Sequence, residues 1–389
     1  MAALALVAAP RAAAEEEKTP VESGVTVFEA GEGNPYASIR IPSIINVRGE
    51  MLVALAEGRY LNGDQGKNDL IVSLSKDGGK TWTPPAVAAA ANGATFNNPY
   101  IMYEPVTKQL VLFFQCYPPG VSEQGEVKPE PGWESPQSLR NLVCFSADGV
   151  VWTEPKDVTA STKHEDAMIT CSGPNPGVVL TRGQHKGRMV VVFNEAPSFG
   201  NWHLTAAYSD DHGETWQLGE KSESGMGINE VSVAETEDGR VFVVSRHYGG
   251  PGGDTRRVAY SADGGATWGP VTTHDELPCY GCQNGLVRYS FADDAERGSR
   301  SRILFTGPRA GRTDGMIKMS YDDGKTWPVQ KDIGPGPFAY SAICPLEPGY
   351  FGVLYEVNGS PLRTIKFTRI SMSWLTDGQD TGKAEETTK

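Results

Sequence analysis

The segment SKDGGKTW, Ser75–Trp82, decides the fold. Its chemistry is local. The Ser and Asp side chains can accept N–H groups of the turn. The Gly takes a positive φ without penalty, and the Trp closes the hairpin by packing on the sheet. The segment recurs as SDDHGETW at Ser209–Trp216, SADGGATW at Ser261–Trp268 and SYDDGKTW at Ser320–Trp327. A shortened copy, SADGVVW, lies at Ser146–Trp152. Successive copies are roughly 50 to 70 residues apart, a period that points to propeller blades. Alternating strands such as LIVSLS, LTAAYS and RRVAYS lead into the boxes. The expectation is an all-β, six-bladed β-propeller of four-stranded antiparallel blades over residues 24–375. Its last blade would be closed by the N-terminal strand GVTVFEA, Gly24–Ala30. The boxes have a structural role, because each offers too few carboxylates for a calcium cage of its own.

Bulk composition agrees. The chain has 389 residues with 45 Gly and 27 Pro, which suits many short strands joined by turns. No apolar run approaches the length of a membrane span. A formal charge of −13 excludes the basic face that nucleic acid needs. A small anion remains possible, because clustered arginines can make one pocket positive on an acidic protein.

The leader MAALALVAAPRAAA, residues 1–14, reads as a secretory signal or its remnant, although it lacks a basic n-region. The expected location is therefore periplasmic or extracellular. Residues 376–389 read as a polar, frayed tail. Six cysteines are too few for a disulfide framework. Cys279 and Cys282 form a Cys-x-x-Cys pair, read as two buried thiols or one local disulfide, since neither a βαβ setting nor a second metal-ligand pair is present.

Charged residues stand where apolar strands end. Arg40 opens RIPSII, Asp64 follows in GDQGKND, and Arg246 ends GRVFVVSR. With the boxes, the segment INEVSV at Glu230 and the segment PFAYSA at Tyr340, this pattern resembles the exo-α-sialidase (neuraminidase) family from Val25 to Met372. The specific part is the order of the Arg-Ile-Pro opening, the boxes, the Asn-Glu segment and the Ala-Tyr-Ser segment, because the box also decorates non-enzymes.

The resemblance implies a site. Arg40, Arg246 and Arg312 would bind the substrate carboxylate through charge-assisted forks. Arg309, Arg256 and Arg257 compete for the third place, and spacing from the box serine Ser320 favours Arg312. Glu356, in GVLYE, would buttress the first arginine, and Arg59, in AEGR, would lie near the pocket. Tyr340 would be the nucleophile and Glu230 its base. A neutral phenol can approach a carboxylate-bearing anomeric carbon that would repel a carboxylate, and it needs a base because its free pKa is about 10. Asp64 would be the acid/base, its pKa raised. Asp69 is its rival, placed at a strand start and better suited to a turn.

The implied activity is retaining hydrolysis of terminal sialic acid from glycoconjugates, with no metal or cofactor. Transfer or anhydro products are alternatives on the same site. A sialic-acid lectin on the same scaffold would need the arginines but not Tyr340, Glu230 and Asp64. The loop CSGPNPGVVLT and the insert GGPGGD depart from the family pattern, so an N-acyl or glycerol pocket has no assigned residues.

Overall fold

A computed structural model describes residues 20, 23–31, 33–248, 254–357 and 364–385. The leader 1–14 and the insert GGPGG lie outside the described residues. Described elements are strands, apart from two four-residue helices, Thr159–Thr162 and Met372–Leu375. No helix among them is long and apolar enough to cross a membrane.

The expectation of six separate four-stranded blades is corrected by the hydrogen bonding. Four sheets stand as single blades. One joins Val25–Glu29 to Thr364–Ser371, Tyr350–Val357 and Ser341–Pro345, so the N-terminal strand does close onto the C-terminal sheet. A five-stranded blade spans Ile169 to Leu218, and two four-stranded blades span Ile228–Pro278 and Gly285–Pro337. The strands from Ser38 to Asp157 form one eight-stranded sheet. A parallel bridge between Asn68 and Thr95 joins its halves, and Lys67 N–H donates to Thr95 Oγ1 there at 3.0 Å. The structure is thus a β-propeller with four separate blades. Box spacing counts hairpin units; it carries no information on whether two neighbouring edges bond to each other.

The boxes form the expected turns. Ser75 Oγ accepts Gly79 N–H at 2.9 Å, and Asp77 Oδ1 accepts Lys80 and Thr81 N–H, both at 3.0 Å. Trp82 Nε1 closes the loop on Gly79 O at 3.1 Å. Gly79 has φ +91°, and a Cβ there would lie 2.0 Å from the Phe367 ring. Only glycine satisfies both demands. The hydrogen bonds of Thr81, by side chain and backbone, pull the Asp77 carboxyl down to about 2.

Box tryptophans pack one sheet on the next. Trp82 meets Phe367 at 5.3 Å, and Trp216 meets Phe113 at 5.5 Å. Burying one such side chain contributes roughly 4–6 kcal/mol of transfer free energy as an upper bound. The tail is not frayed over its described part. Arg302 holds Asp380 by two bonds of 2.8 and 2.7 Å, and Tyr321 Oη adds a third at 3.0 Å.

Candidate active site

In an antiparallel hairpin the start of one strand and the end of the next lie side by side. Residues at those two places therefore converge at one end of the propeller. Arg40 stands near the start of Ser38–Val47, and Arg59 ends Met51–Arg59. Glu230 stands near the start of Ile228–Glu235, and Arg246 is next to last in Val241–His247. Tyr340 immediately precedes Ser341–Pro345, and Glu356 is next to last in Tyr350–Val357. Arg40, Arg59, Asp64, Glu230, Arg246, Arg312 and Tyr340 line one cavity of about 260 Å³. That volume suits a small polar ligand.

Arg40 is placed by a local distortion. The register slips between Arg40 and Ser43, and Ile41 sits at φ +65°, an outlier for a β-branched residue. Glu356 holds the distortion: its Oε1 accepts Ile41 N–H at 2.8 Å and Arg40 Nε at 3.2 Å. Its Oε2 accepts Arg40 Nη2 and Tyr340 N–H, both at 3.3 Å. One buried carboxylate therefore fixes both the first arginine and the tyrosine backbone.

Tyr340 Oη donates to Glu230 Oε1. Arg246 Nη1 lies 3.0 Å from both Glu230 Oε2 and Tyr340 Oη. The guanidinium carbons of Arg40 and Arg312 stand 4.9 and 5.3 Å from the Tyr340 ring centroid. Burial, followed by the Glu230 charge, pushes the phenol well above its ordinary value, with Arg246 and Arg40 opposing. The phenol is thus neutral in the unliganded site, beside a carboxylate placed to take its proton.

Asp64 receives Arg59 Nη1 at 2.6 Å and Arg40 Nη1 at 3.4 Å. Partial burial works against its charge, but Arg59, Arg40 and Arg312 outweigh it and hold the carboxyl below the usual range. The expected upward shift is therefore corrected: the arginines that would hold a substrate also face the acid.

The competing residues have other partners. Asp69 is buried and accepts Tyr60 Oη and Ala91 N–H, both at 2.8 Å. Arg309 pairs with the surface residue Asp332. Arg256 is buried on Asn284 Oδ1 at 2.9 Å, and Arg257 donates to Met226 O at 2.6 Å. Arg312 lines the cavity, donates to Gly281 O at 3.2 Å and has no carboxylate partner among the described residues. Its fork is the one most open to a ligand anion.

Several lining or supporting residues escaped sequence reasoning. Glu57, wholly buried, holds Arg59 at 2.6 and 2.8 Å and accepts Asn98 N–H at 2.8 Å. The motif Glu57-Gly-Arg59 put both charges on one strand face, a signal that was available. Tyr117 donates to Glu123 inside the cavity. Phe199, Trp202 and Tyr248 form an aromatic wall, with Phe199 5.7 Å from Trp202 and 6.0 Å from Tyr248. Cys279 and Cys282 are buried free thiols. Cys282 packs with Tyr340 and Ile41. No group of three or more His, Cys, Asp and Glu among the described residues could hold a metal ion.

The site is thus an arginine-lined anion pocket with a Tyr–Glu–Arg cluster beneath it. The BNR repeat-like domain family matches residues 50–353. The chain is 32% identical to a sialidase of Micromonospora viridifaciens over 353 residues, covering 87% of this chain and 52% of that one.

The chain belongs to the sialidase family of BNR-repeat proteins.

An anhydrosialidase of Macrobdella decora is 22% identical, with 92% of this chain and 64% of that one covered. The chain spans roughly half to two-thirds of the length of these curated relatives. Among solved structures, a Hadza microbial sialidase superposes with a TM-score of 0.76 at 23% identity, covering 91% of this chain and 69% of that one. The intramolecular trans-sialidase of Ruminococcus gnavus gives a TM-score of 0.75 at 19% identity, covering 90% and 97%. These two likenesses establish a shared fold.

Proposed function

We propose that this sialidase-family chain is a retaining exo-α-sialidase that removes terminal sialic acid from glycoconjugates. The observation that carries the proposal is the Tyr340–Glu230–Arg246 cluster beneath the forks of Arg40 and Arg312. The substrate carboxylate bridges those forks and sets the anomeric carbon over Tyr340. Tyr340 Oη attacks that carbon while its proton passes to Glu230. Asp64 gives a proton to the departing glycosidic oxygen as the carbon–oxygen bond breaks. Asp64, now ionised, then takes a proton from water as the water oxygen attacks the anomeric carbon; the tyrosyl–sugar bond breaks, and Glu230 returns its proton to Tyr340 Oη to restore the phenol.

The acid must hold a proton, although its arginines oppose this in the free site. A bound carboxylate offsets the charge of Arg40 and Arg312, so substrate binding itself lifts the Asp64 pKa. A lectin would have no use for the Tyr340–Glu230 contact, which supports the enzyme over the binding module. Action outside the cytoplasm is part of the proposal and rests on the Ala-rich leader of residues 1–14.

Proton NMR during cleavage of an aryl α-sialoside tests the stereochemistry. Two displacements at one carbon release the α-anomer of free sialic acid first, followed by mutarotation. First appearance of the β-anomer would contradict the retaining mechanism, and an anhydro product would place the chain with the internal-transfer enzymes.

A further inference from the structure

Asp64 stands in the loop between the strands Met51–Arg59 and Asn68–Ser75, and its side chain is 62% exposed. Its carboxylate is held by Arg59 and Arg40. In the proposed reaction the substrate carboxylate engages Arg40, so the acid then needs a hold that does not run through that fork. Placement matters here, because a shift of about 1 Å at a reacting group can cost on the order of 10²-fold in rate.

The backbone of the acid has one such hold. Asn68 Nδ2 and Asn97 Nδ2, on two buried side chains, donate to Asp64 O at 3.0 and 3.1 Å. The next residue makes a second. Gln65 Oε1 accepts Ser122 Oγ at 2.6 Å and Glu123 N–H at 3.0 Å. A backbone N–H only donates, which fixes the amide oxygen as the atom at this contact. Ser122 Oγ itself accepts Gly125 N–H at 3.1 Å and Gln124 N–H at 3.2 Å, which leaves its own proton for Gln65.

Ser122 and Glu123 belong to the connection between the strands Gln109–Tyr117 and Arg140–Ser146. It is far longer than the about 2–5 residues of a usual hairpin loop, yet it is braced along its length. Tyr117 Oη donates to Glu123, and Ser122 N–H donates to Val127 O at 2.9 Å. Farther on, Gly132 N–H donates to Glu165 O, and the buried Lys163 ammonium donates to Gly132 O, both at 2.7 Å. Trp133 Nε1 adds a bond of 3.0 Å to Lys163 O. The connection is therefore anchored to residues 163–165, ahead of the sheet that starts at Ile169, as well as to the loop of the acid.

We infer that Gln65 is a positioning residue for the acid. Its amide oxygen clasps the loop of Asp64 to the braced connection, which keeps Asp64 over the departing glycosidic oxygen once the substrate has engaged Arg40. This rests on the sialidase proposal and goes further, because it makes a loop outside the hairpin of Asp64 part of what sets acid catalysis. Misplacing an acid harms a poor leaving group more than a good one, a pattern that a purely structural contact would not produce.

The test measures kcat/KM on an α-sialyl-lactose, which leaves as a sugar alcohol, and on an aryl α-sialoside, whose phenolate leaves with little help from an acid. Gln65→Ala should lower the value for the lactose conjugate by about tenfold or more and that for the aryl glycoside by about threefold or less. Ser122→Ala should shift the ratio in the same direction by a smaller factor, since Glu123 N–H still holds Gln65. The double variant should lose no more than Gln65→Ala alone, because the bond that Ser122→Ala removes is already gone. An unchanged ratio in folded Gln65→Ala overturns the clasp, and so does an equal loss on both substrates, which would make Gln65 a residue of binding or stability. Additive losses in the double variant overturn it too. If Gln65→Ala does not fold, Ser122→Ala decides, and an unchanged ratio there is the contrary result. All these outcomes leave the sialidase proposal standing, whereas turnover of neither substrate by the wild type overturns that proposal and the clasp with it.

Discussion

Glu356 grips Arg40 side-on, with bonds of 3.2 Å to Nε and 3.3 Å to Nη2, while itself wholly buried. The same carboxylate accepts the backbone N–H of Ile41 and of Tyr340. It therefore ties a strained backbone, a substrate fork and the nucleophile to one point. Glu356→Ala should cost about 3–5 kcal/mol in unfolding free energy, because it leaves a largely buried guanidinium with only its 3.4 Å contact to Asp64 and two backbone N–H groups unpaired. Denaturant unfolding measures this directly. A loss under about 1 kcal/mol, as for an exposed pair, would contradict it.

Arg312 and Arg309 are three residues apart but differ in setting. Arg312→Ala should cost about 2–5 kcal/mol in transition-state binding, read from kcat/KM, since its fork has a ligand anion as its charged partner. Arg309→Ala should change activity and stability by no more than about 0.5 kcal/mol, as a surface substitution. A reversed order would assign the third fork to Arg309.

The pH profile follows from Asp64. Its carboxyl is held below the usual range in the free site by Arg59, Arg40 and Arg312, against partial burial. Acid catalysis needs the protonated form, so the rate falls as pH rises through the Asp64 pKa. kcat/KM reports the free enzyme and kcat the complex, in which the substrate carboxylate has offset two of the arginines. The alkaline limb of kcat should therefore lie at higher pH than that of kcat/KM. Asp64→Asn should remove the limb and harm substrates with poor leaving groups most. Coincident limbs would remove the substrate from control of the acid.

Much of this was legible because propeller hairpins repeat. A box marks one recurrent turn at five places in the chain, and charge at one end of an apolar strand marks the site end, which is how Arg40 and Arg246 stand out. Asn194, in MVVVFNEA, lines the cavity, and that rule passes over it because an amide carries no charge. Glu123 had no such signal, because it lies in the long loop after Tyr117, where no periodicity relates position to direction. The number of separate blades failed for another reason. Asn68 and Thr95 are joined across sheet edges, and edge pairing depends on spatial approach that a turn motif does not encode.

The tail shows the converse failure. Its polarity suggested fraying, yet Asp380 is buried against Arg302. Arg302 and Tyr321 hold the Asp380 carboxyl below its usual range, against burial. Asp380→Ala should cost about 3–5 kcal/mol, as for one partner lost from a buried ion pair. Because the folded pKa is depressed, this contribution is present above the ordinary carboxyl pKa and is lost as pH falls through the lower, folded one. Thermal unfolding of the wild type and the variant from pH 7 downward should show the two converging in acid. A constant gap would make the contact one of packing alone.

The most direct measurement is release of the fluorophore from an aryl α-sialoside by the wild type and by Tyr340→Phe, with binding of free sialic acid measured in parallel. Removing one oxygen leaves Arg40, Arg246 and Arg312 in place, so binding should persist within a few-fold. Turnover by the variant should fall by about 10³-fold or more, as for loss of a nucleophile. Turnover by Tyr340→Phe close to that of the wild type would contradict Tyr340 as the nucleophile, and with it the covalent mechanism.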